Sequence, residues 1–549
     1  MRKPVTHAIA VFAILAVLAS ALAEVISNRA TVAAVESAVQ PNIILILTDD
    51  LDARLLEDNL GQLPNIAALQ QAGTTFSNFL ISTPLCCPSR SSILRGQYAH
   101  NHGVLQNGGE NGGFGTFRRL GREDSTVATW LQAAGYRTAL LGKYLNGYPE
   151  GADPAYVPPG WDEWSSFMLA DKAGKEDSFY FDYRLNENGR IVSYGSRPED
   201  YSTDVLSAKA TDFVERTAEA SQPFFLYLAP YAPHEPATPA PRHAEALPAA
   251  TASRSPSFDE ADVGDKPSYV RDSPGLSPDL VRQIDEIYRE RLQSLLAVDE
   301  MVAALVGTLR ASGQLDNTYV FFASDNGFHL GEHRLPHGKL SPYEEAIRVP
   351  LVVRGPGVPA GRVEDRLALN TDLAPTFAEL AGAATPGFID GRSLMPLLRG
   401  EVPAEWRQTI LVEAFGSGKS RLRRTNPGAA DAGATPDESA GELRGSAPIP
   451  PYTALRTAGL LYVEYETGER ELYDLRADPY ELENLAATAD PSLLERLSAR
   501  LAALRECTAG RCRTAEDEPL DQTGKESPVP TITEPTASAA NGRTAPTTG

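Results

Sequence analysis

The sequence predicts an α/β fold: a large, mostly parallel (mixed) sheet flanked by helices, followed by a smaller C-terminal antiparallel sheet with one packed helix. Three observations predict it. Short apolar runs alternate with amphipathic segments along most of the chain, as in sheets built from strand–helix–strand units. Most of these runs end in polar residues, and open α/β sheets bind ligands beyond the carboxyl ends of their strands. Near the C-terminus the alternation gives way to strand-like segments joined by a turn.

The elements follow in order. In "PNIILILTDD" a continuous branched apolar run suits a strand buried on both faces, and it ends in Asp49 and Asp50. "NIAALQQAG" reads as a helix closed by Gly73, and "TTFSNFLIS" as a second strand. "TVATWLQAAGYRTALLGKYLNGY" repeats helix, glycine, strand and polar turn. "ATDFVERTAEASQPFFLYLAPYAPHEP" does so again, its strand leading to His234. A long helix in "YRERLQSLLAVDEMVAALVGTLRASGQLDNTYVFFASDNG" precedes a strand that ends at Asp325 and Asn326. "ALRTAGLLYVEYETGERELYDL" reads as a hairpin turning at Gly468, and "PSLLERLSARLAALREC" as a helix.

Composition bounds the function. The chain has 549 residues, 42% hydrophobic and 22% charged, enough for a sizeable core. Asp and Glu number 72 against 50 Lys and Arg, a formal net charge of -22. A polyanion such as nucleic acid would meet net repulsion and is excluded as the main partner. A local basic pocket can still hold an anion, because the Debye length is about 8 Å at physiological salt. At the N-terminus, Arg2 and Lys3 precede an apolar run closed by Ala21-Leu22-Ala23. This has the form of a secretory signal peptide, residues 1–23. The run falls short of the roughly 20 residues a spanning helix needs, so no stable membrane anchor is expected. A secreted or periplasmic destination permits disulfides. Cys507 and Cys512 in "ECTAGRC" are then read as a local disulfide, with a metal pair as the alternative.

The expected organisation is a leader over 24–40, a catalytic domain over 41–398 and a C-terminal subdomain over 399–512. The Gly-, Ala-, Ser- and Pro-rich stretch 416–451 is a flexible insert, and 513–549, poor in apolar residues, is a disordered tail. Lys419, Arg421, Arg423 and Arg424 in that insert read first as a solvated basic loop, and second as a surface that steers a negatively charged polymer.

Asp49, Asp50, Asp325 and Asn326 are four oxygen donors at two strand ends, which suits a hard divalent cation, Ca²⁺ or Mg²⁺. Alone, each would be an ordinary turn or cap residue. The second concentration of chemistry is "STPLCCPSRSSILRG", with two adjacent cysteines, Cys86 and Cys87, in a chain that has only four. Adjacent cysteines fit disulfide geometry poorly. Pro88 suits the first turn of a helix and Gly96 its end. That places the cysteines at a helix N-terminus, which favours an anion, and Arg90 adds a planar donor fork suited to tetrahedral oxyanions. The bland alternative is that both cysteines are simply packed.

"CCPSRSSILRG" matches the pattern C-x-P-S-R-x-x-x-L-x-G, and "LTDD", "GKY", "PHEP", "SDNG" and "HGKLSPYEEAIRVPL" accompany it in order. On these residues the chain resembles the formylglycine-dependent (type I) sulfatases, which have an alkaline-phosphatase-like fold, over roughly residues 41–512. "TPLCCPSRSSIL", "YAHNHGV", "GKYLNGY", "VPPGW" and "CTAGRCRT" look most like the N-acetylglucosamine-6-sulfatases. The resemblance implies that Cys86 is oxidised to formylglycine (3-oxoalanine) by a separate maturation enzyme. Its hydrate would then attack sulfur through one hydroxyl and expel sulfate through the other, an exit route that a thiol lacks.

The resemblance further implies that Asp49, Asp50, Asp325, Asn326 and position 86 hold one Ca²⁺. Arg90, Lys143 and Lys339 would offset charge on the sulfuryl group, and His234 would protonate the leaving oxygen or contact sulfate. Cys87 is a bystander. Many family members carry a histidine two residues after the lysine matching Lys143; here that residue is Leu145, followed by Asn146, a form shared by the glucosamine-sulfatase-like members. Asn146, His102 and His333 are candidate substrate-binding residues, with His100, His329 and His337 behind them.

The expected reaction is release of inorganic sulfate from an O-sulfated small molecule or carbohydrate, of the N-acetylglucosamine-6-sulfate type or a glycosaminoglycan. The alternatives are a broad arylsulfatase, a phosphomonoester or phosphonate hydrolase on the same scaffold, and an inactive carbohydrate-binding homologue.

Overall fold

The structure is a computed structural model that describes residues 40–168, 179–220, 222–416 and 448–520. The expected signal peptide, almost all of the expected leader, the basic residues of the insert and the end of the tail lie outside the described residues.

Among the described residues sixteen strands form three sheets. In chain order they are β1 (Asn42–Thr48), β2 (Thr74–Phe76), β3 (Phe79–Leu80), β4 (Arg137–Gly142), β5 (Glu163–Phe167), β6 (Arg184–Glu187), β7 (Arg190–Ser193), β8 (Phe224–Ala229), β9 (Thr318–Ser324), β10 (Leu351–Arg354), β11 (Arg362–Glu364), β12 (Ala368–Leu369), β13 (Ile410–Ala414), β14 (Tyr452–Arg456), β15 (Leu460–Tyr465) and β16 (Arg470–Asp474). The main sheet has ten strands in the order β11-β2-β10-β9-β1-β8-β4-β5-β6-β7. Its centre, from β9 to β5, is parallel. Antiparallel pairings of β10 on one side and of β6 and β7 on the other make it mixed. Every residue of β1, β8 and β9 is buried, which explains their uninterrupted apolar runs.

Two apolar layers sandwich this sheet. Along β1, Ile43, Leu45 and Leu47 face one layer, while Ile44 and Ile46 face the other, the period-two alternation of a strand. Helices Val127–Ala133 and Leu373–Ala381 pack on the first side, and Ser202–Ala220 and Pro278–Ala311 on the second. The last of these is long and apolar enough to cross a membrane, but it buries its apolar side against the sheet.

Two readings from sequence are corrected here. "TTFSNFLIS" is not one strand. β2 joins the main sheet, whereas β3 pairs with β12, because Ser77 and Asn78 between them bond Glu364 and Asp365. The tail is not structureless from residue 513. Gly510–Asp517 is a helix, anchored by the fully buried Glu516. Glu516 accepts from Tyr98 Oη at 2.6 Å and pairs with Arg407 at 3.1 Å and Arg392 at 3.0 Å. A count of apolar residues cannot register an anchor made of charge.

β13 to β16 form the four-stranded antiparallel sheet, with Gly468 at φ 87° in the β15–β16 turn. Helix Pro491–Arg505 packs on it through Leu497, Leu501 and Leu504. Cys507 and Cys512 are disulfide-bonded. His100 fastens this part to the rest: its Nδ1 lies 3.0 Å from Glu413 on β13, and its Nε2 lies 3.0 Å from the Cys507 carbonyl.

Candidate active site

The centre of the site follows from one register. β1 and β9 pair in parallel with Thr48 opposite Ser324, so Asp49-Asp50 and Asp325-Asn326 leave the sheet side by side. Asp50 takes a left-handed backbone, φ 63°, and its N–H donates to Asp325 Oδ1 at 3.1 Å. Asn326 Nδ2 donates to Asp50 Oδ1 at 2.7 Å. All four residues are fully buried.

Helix Cys86–Arg95 points its N-terminus at this cluster, and Gly96 ends it at φ 67°. Cys86 occupies the first helical position. Its Sγ lies 3.5 Å from Asp49 Oδ1, 3.8 Å from Asp50 Oδ1 and 2.8 Å from Lys339 Nζ. Cys87, one residue on, turns into the apolar layer, and its N–H donates to Asn107 Oδ1 at 2.9 Å. The doublet is therefore split between a polar pocket and the core.

Three buried cations face three buried carboxylates. Arg90 Nε donates to Asp325 Oδ2 at 2.7 Å, its Nη1 donates to the Lys143 carbonyl at 3.0 Å, and its Nη2 lies 3.6 Å from Asp49. Lys143 Nζ pairs with Asp49 Oδ2 at 2.5 Å, and Lys339 Nζ with Asp50 Oδ1 at 2.6 Å. Lys143 is aimed by the end of β4. Gly142, at φ 115°, passes so close to β8 that an added Cβ would sit 2.0 Å from the Ala229 carbonyl oxygen, so only glycine fits.

The electrostatics follow from burial and charge. Burial alone would raise the Asp49 pKa, but Lys143, then His234 and Arg90, outweigh it and hold the carboxyl below its usual range. At Asp50, Lys339 and then His234 overcome burial in the same way. Burial pushes the Cys86 thiol far up, and Lys143 and Lys339 only partly offset it. An unmodified Cys86 is thus a neutral thiol and a poor nucleophile at neutral pH.

His234 follows β8 and is 3% exposed. Its Nδ1 lies 2.5 Å from the Glu235 carbonyl, and its Nε2 lies 3.6 Å from Asp50 Oδ2. Asn146 lies in the buried turn after Lys143, its carbonyl accepting from the Phe114 N–H at 2.7 Å. The absent-histidine position, Leu145, is a core leucine in the same apolar layer as Cys87.

Neither preferred substrate histidine joins the cluster. His102 Nδ1 accepts from the Val104 N–H at 3.1 Å, and its Nε2 lies 3.1 Å from Ser92 Oγ. Nε2 thereby braces the Cys86–Arg95 helix, and Nδ1 holds the turn that follows His102. His333 stacks on Tyr343 at 4.0 Å and bonds Glu260. His337 Nδ1 lies 3.2 Å from the carboxylate of Glu235, the residue after His234.

Sequence reasoning missed Arg291 and Tyr231. Arg291 is fully buried on Pro278–Ala311. It donates to the Asp50 carbonyl at 2.5 Å and the Pro233 carbonyl at 3.3 Å, holding the carboxylate turn and the histidine turn together. An arginine on the apolar side of an amphipathic helix, between Tyr288 and Leu295, was the available signal. The Tyr231 ring lies 4.6 Å from Lys143 Nζ, a cation–π contact.

The donor set fits a hard cation. Asp49, Asp50 and Asp325 supply carboxylates, and Asn326 Oδ1 is buried without a hydrogen-bond partner, a lone acceptor that a cation would satisfy. Asp49, Asp50, Cys86 and His234 each place a ligand atom within 4.8 Å of the others.

A mixed α/β sheet whose strand ends gather three buried carboxylates, three buried cations and a donor set suited to a metal has the character of a hydrolase of anionic esters. The sequence pattern of the sulfatase family matches residues 41–383, and the chain belongs to that family; it is a sulfuric ester hydrolase. It is 35% identical over 489 residues to the N-acetylglucosamine-6-sulfatase of Homo sapiens, an overlap covering 86% of each chain. A solved structure in complex with its substrate D-glucosamine-2-N,6-O-disulfate is similar with TM-score 0.64 and 25% identity, over 87% of this chain and 99% of that one. The phosphonate monoester hydrolase of Silicibacter pomeroyi shares the fold with TM-score 0.62 and 26% identity, over 84% and 93% of the two chains.

Proposed function

We propose that this sulfatase removes the 6-O-sulfate of N-acetylglucosamine-type sugars after Cys86 has been converted to formylglycine, with one Ca²⁺ held by Asp49, Asp50, Asp325, Asn326 and position 86. The observation that carries this reading is the surroundings of Cys86 Sγ, which stands where the formylglycine oxygen would stand. It touches Lys339 at 2.8 Å and both strand-end aspartates within 3.8 Å. The sugar assignment rests on the human relative and on the glucosamine disulfate complex.

The modified residue would supply an oxygen nucleophile and the route by which sulfate leaves, and the cation would polarise sulfate oxygen. The chain's own side chains do the rest. Lys339 donates to the reacting atom at position 86 and disperses charge that develops there. Arg90 locks Asp325 and Asp49 in place, so the donor set is formed before substrate arrives. Lys143, braced by Asp49 and Tyr231, presents a second ammonium to sulfate oxygen. His234, oriented through Glu235, carries the proton that the leaving sugar oxygen takes. Arg291 keeps the Asp50 and Pro233 turns in register, so carboxylate and histidine approach the same bond. With three carboxylates matched by three cations, the added divalent ion leaves the pocket net positive and selective for an anionic ester.

Export through the N-terminal signal peptide to a secreted or periplasmic location, and maturation by a formylglycine-generating enzyme, complete the proposal. The test is sulfate release from N-acetylglucosamine-6-sulfate, an aryl sulfate and an aryl phosphonate monoester, using enzyme co-produced with a maturation enzyme. The sugar should give the highest kcat/KM. Turnover of aryl sulfate alone would replace the sugar assignment with a broad arylsulfatase, and a preference for the phosphonate would overturn the sulfate reading.

A further inference from the structure

Away from Cys86, three buried atoms without hydrogen-bond partners converge: His333 Nε2, Glu345 Oε2 and Glu481 Oε1. Their residues are 0%, 9% and 1% exposed. One ligand atom from each lies within 4.8 Å of the others, and His333 Nε2 is 3.9 Å from Glu345 Oε2. The opposite end of each side chain is held. His333 Nδ1 bonds Glu260 Oε2 at 2.8 Å, Glu345 Oε1 lies 3.5 Å from Ser257 Oγ, and Glu481 Oε2 accepts from the Glu344 N–H at 3.0 Å.

This arrangement has a specific chemical sense. A histidine that donates Nδ1–H to a carboxylate has its Nε2 lone pair fixed and aimed, as metal-binding histidines do. The atoms that meet are then a ring nitrogen and two carboxylate oxygens, all acceptors. Arg456, 2.8 Å from Glu344, and Arg54 act on the two glutamates through charge, but none of the three atoms has a hydrogen-bond partner; a dry cluster of acceptors is costly, and a divalent cation resolves it. Donors of a tetrahedral site with bonds of about 2.1 Å stand roughly 3.4 Å apart, so the 3.9 Å pair must close by about half an ångström and the other pairs, within 4.8 Å, by about 1.4 Å at most. Lys266 Nζ, 3.5 Å from Glu260 Oε1, neutralises the supporting carboxylate rather than the three converging atoms.

We propose that His333, Glu345 and Glu481 bind a second divalent ion of the zinc class, separate from the catalytic cation. One nitrogen and two oxygens suit zinc, whereas Ca²⁺ and Mg²⁺ take oxygen sites. A water or the second oxygen of a carboxylate completes the coordination. The ligands also have a structural logic. His333 and Glu345 lie on either side of Lys339 in the chain, and Glu481 follows β16 in the C-terminal part. The ion would clamp the segment carrying the catalytic lysine to the small sheet.

The experiment counts metals in the full mature chain. Protein saturated with Ca²⁺ is titrated with Zn²⁺, desalted and analysed for both elements, and its thermal unfolding is recorded. One tightly held zinc per chain is expected, retained in Asp50→Asn, which perturbs the catalytic cluster. It should be lost in the isosteric Glu481→Gln and in His333→Gln, each checked for folding by circular dichroism. Zinc should raise the Tm of the parent protein and leave that of Glu481→Gln unmoved. Absence of bound zinc in the parent, or zinc retained by Glu481→Gln and His333→Gln as tightly as by the parent, would overturn the proposal.

Discussion

Replacing Lys339 with alanine removes the charged group nearest to Cys86 Sγ, the position proposed to carry the nucleophile. Lys339 Nζ sits 2.8 Å from Cys86 Sγ and 2.6 Å from Asp50 Oδ1, and the residue is fully buried. A full charge at position 86 would interact with this ammonium by about 6 kcal/mol at 2.8 Å and an effective dielectric constant of about 20. Development of roughly half a charge in the transition state makes that about 3 kcal/mol, or about 100-fold in rate, similar to the loss of one oxyanion-hole donor. Lys339→Ala should therefore lower kcat on the sulfated sugar by about 10²–10³. Lys339→Arg should not restore it, because a planar fork cannot replace a compact ammonium in a filled pocket. The assay is steady-state sulfate release, with formylglycine content, bound calcium and Tm measured on the same preparations. A fully matured, calcium-loaded Lys339→Ala enzyme within tenfold of the parent kcat would refute the reasoning.

Further outcomes follow from the same contacts. Cys87→Ala should cost ~1 kcal/mol of stability as a small core truncation and leave kcat nearly unchanged, which thermal unfolding and turnover assays will show. Glu516→Ala leaves Arg407 with one partner and strips the Gly510–Asp517 helix of its anchor. It should destabilise the fold by about 3–5 kcal/mol in denaturant titration, with the loss concentrated in the C-terminal part by hydrogen exchange. At His100, burial opposes protonation, but the hydrogen bond and charge of Glu413 outweigh it and raise the pKa to about 9. Because the folded value lies above the unfolded one, this stabilisation is complete below about pH 6.5 and is lost as pH rises through about 9. It amounts to at most about 3 kcal/mol, and a pH series of unfolding midpoints should flatten in His100→Ala.

The parts of the site carried by contiguous sequence were legible, and those assembled by packing were not. Asp49, Asp50, Asp325 and Asn326 each follow a fully buried strand, so an apolar run ending in oxygen donors exposes them without any knowledge of topology. Cys86 and Arg90 sit on one helix, and their spacing is local. Arg291 reaches the loops beyond β1 and β8 from a helix more than 200 residues away from Asp50 in sequence, and nothing near it in the chain marks the partner. His102 and His333 looked like pocket residues because histidines close to a motif invite that reading. Their ring nitrogens are directed by Val104, Ser92 and Glu260, contacts that only the fold creates. The helix Gly510–Asp517 was hidden for a related reason: its docking depends on Glu516 reaching Tyr98 and Arg407, and composition treats such a residue as solvent-seeking.

The central claim is that Cys86 ceases to be a cysteine in the working enzyme. Mass spectrometry of the peptide spanning residue 86, on protein whose sulfate-releasing activity has been measured, tests it most directly. The account predicts an aldehyde or its hydrate at Cys86, an intact thiol at Cys87, and activity proportional to the fraction converted. Full activity in protein whose Cys86 is wholly thiol, or conversion found at Cys87 instead, would contradict it.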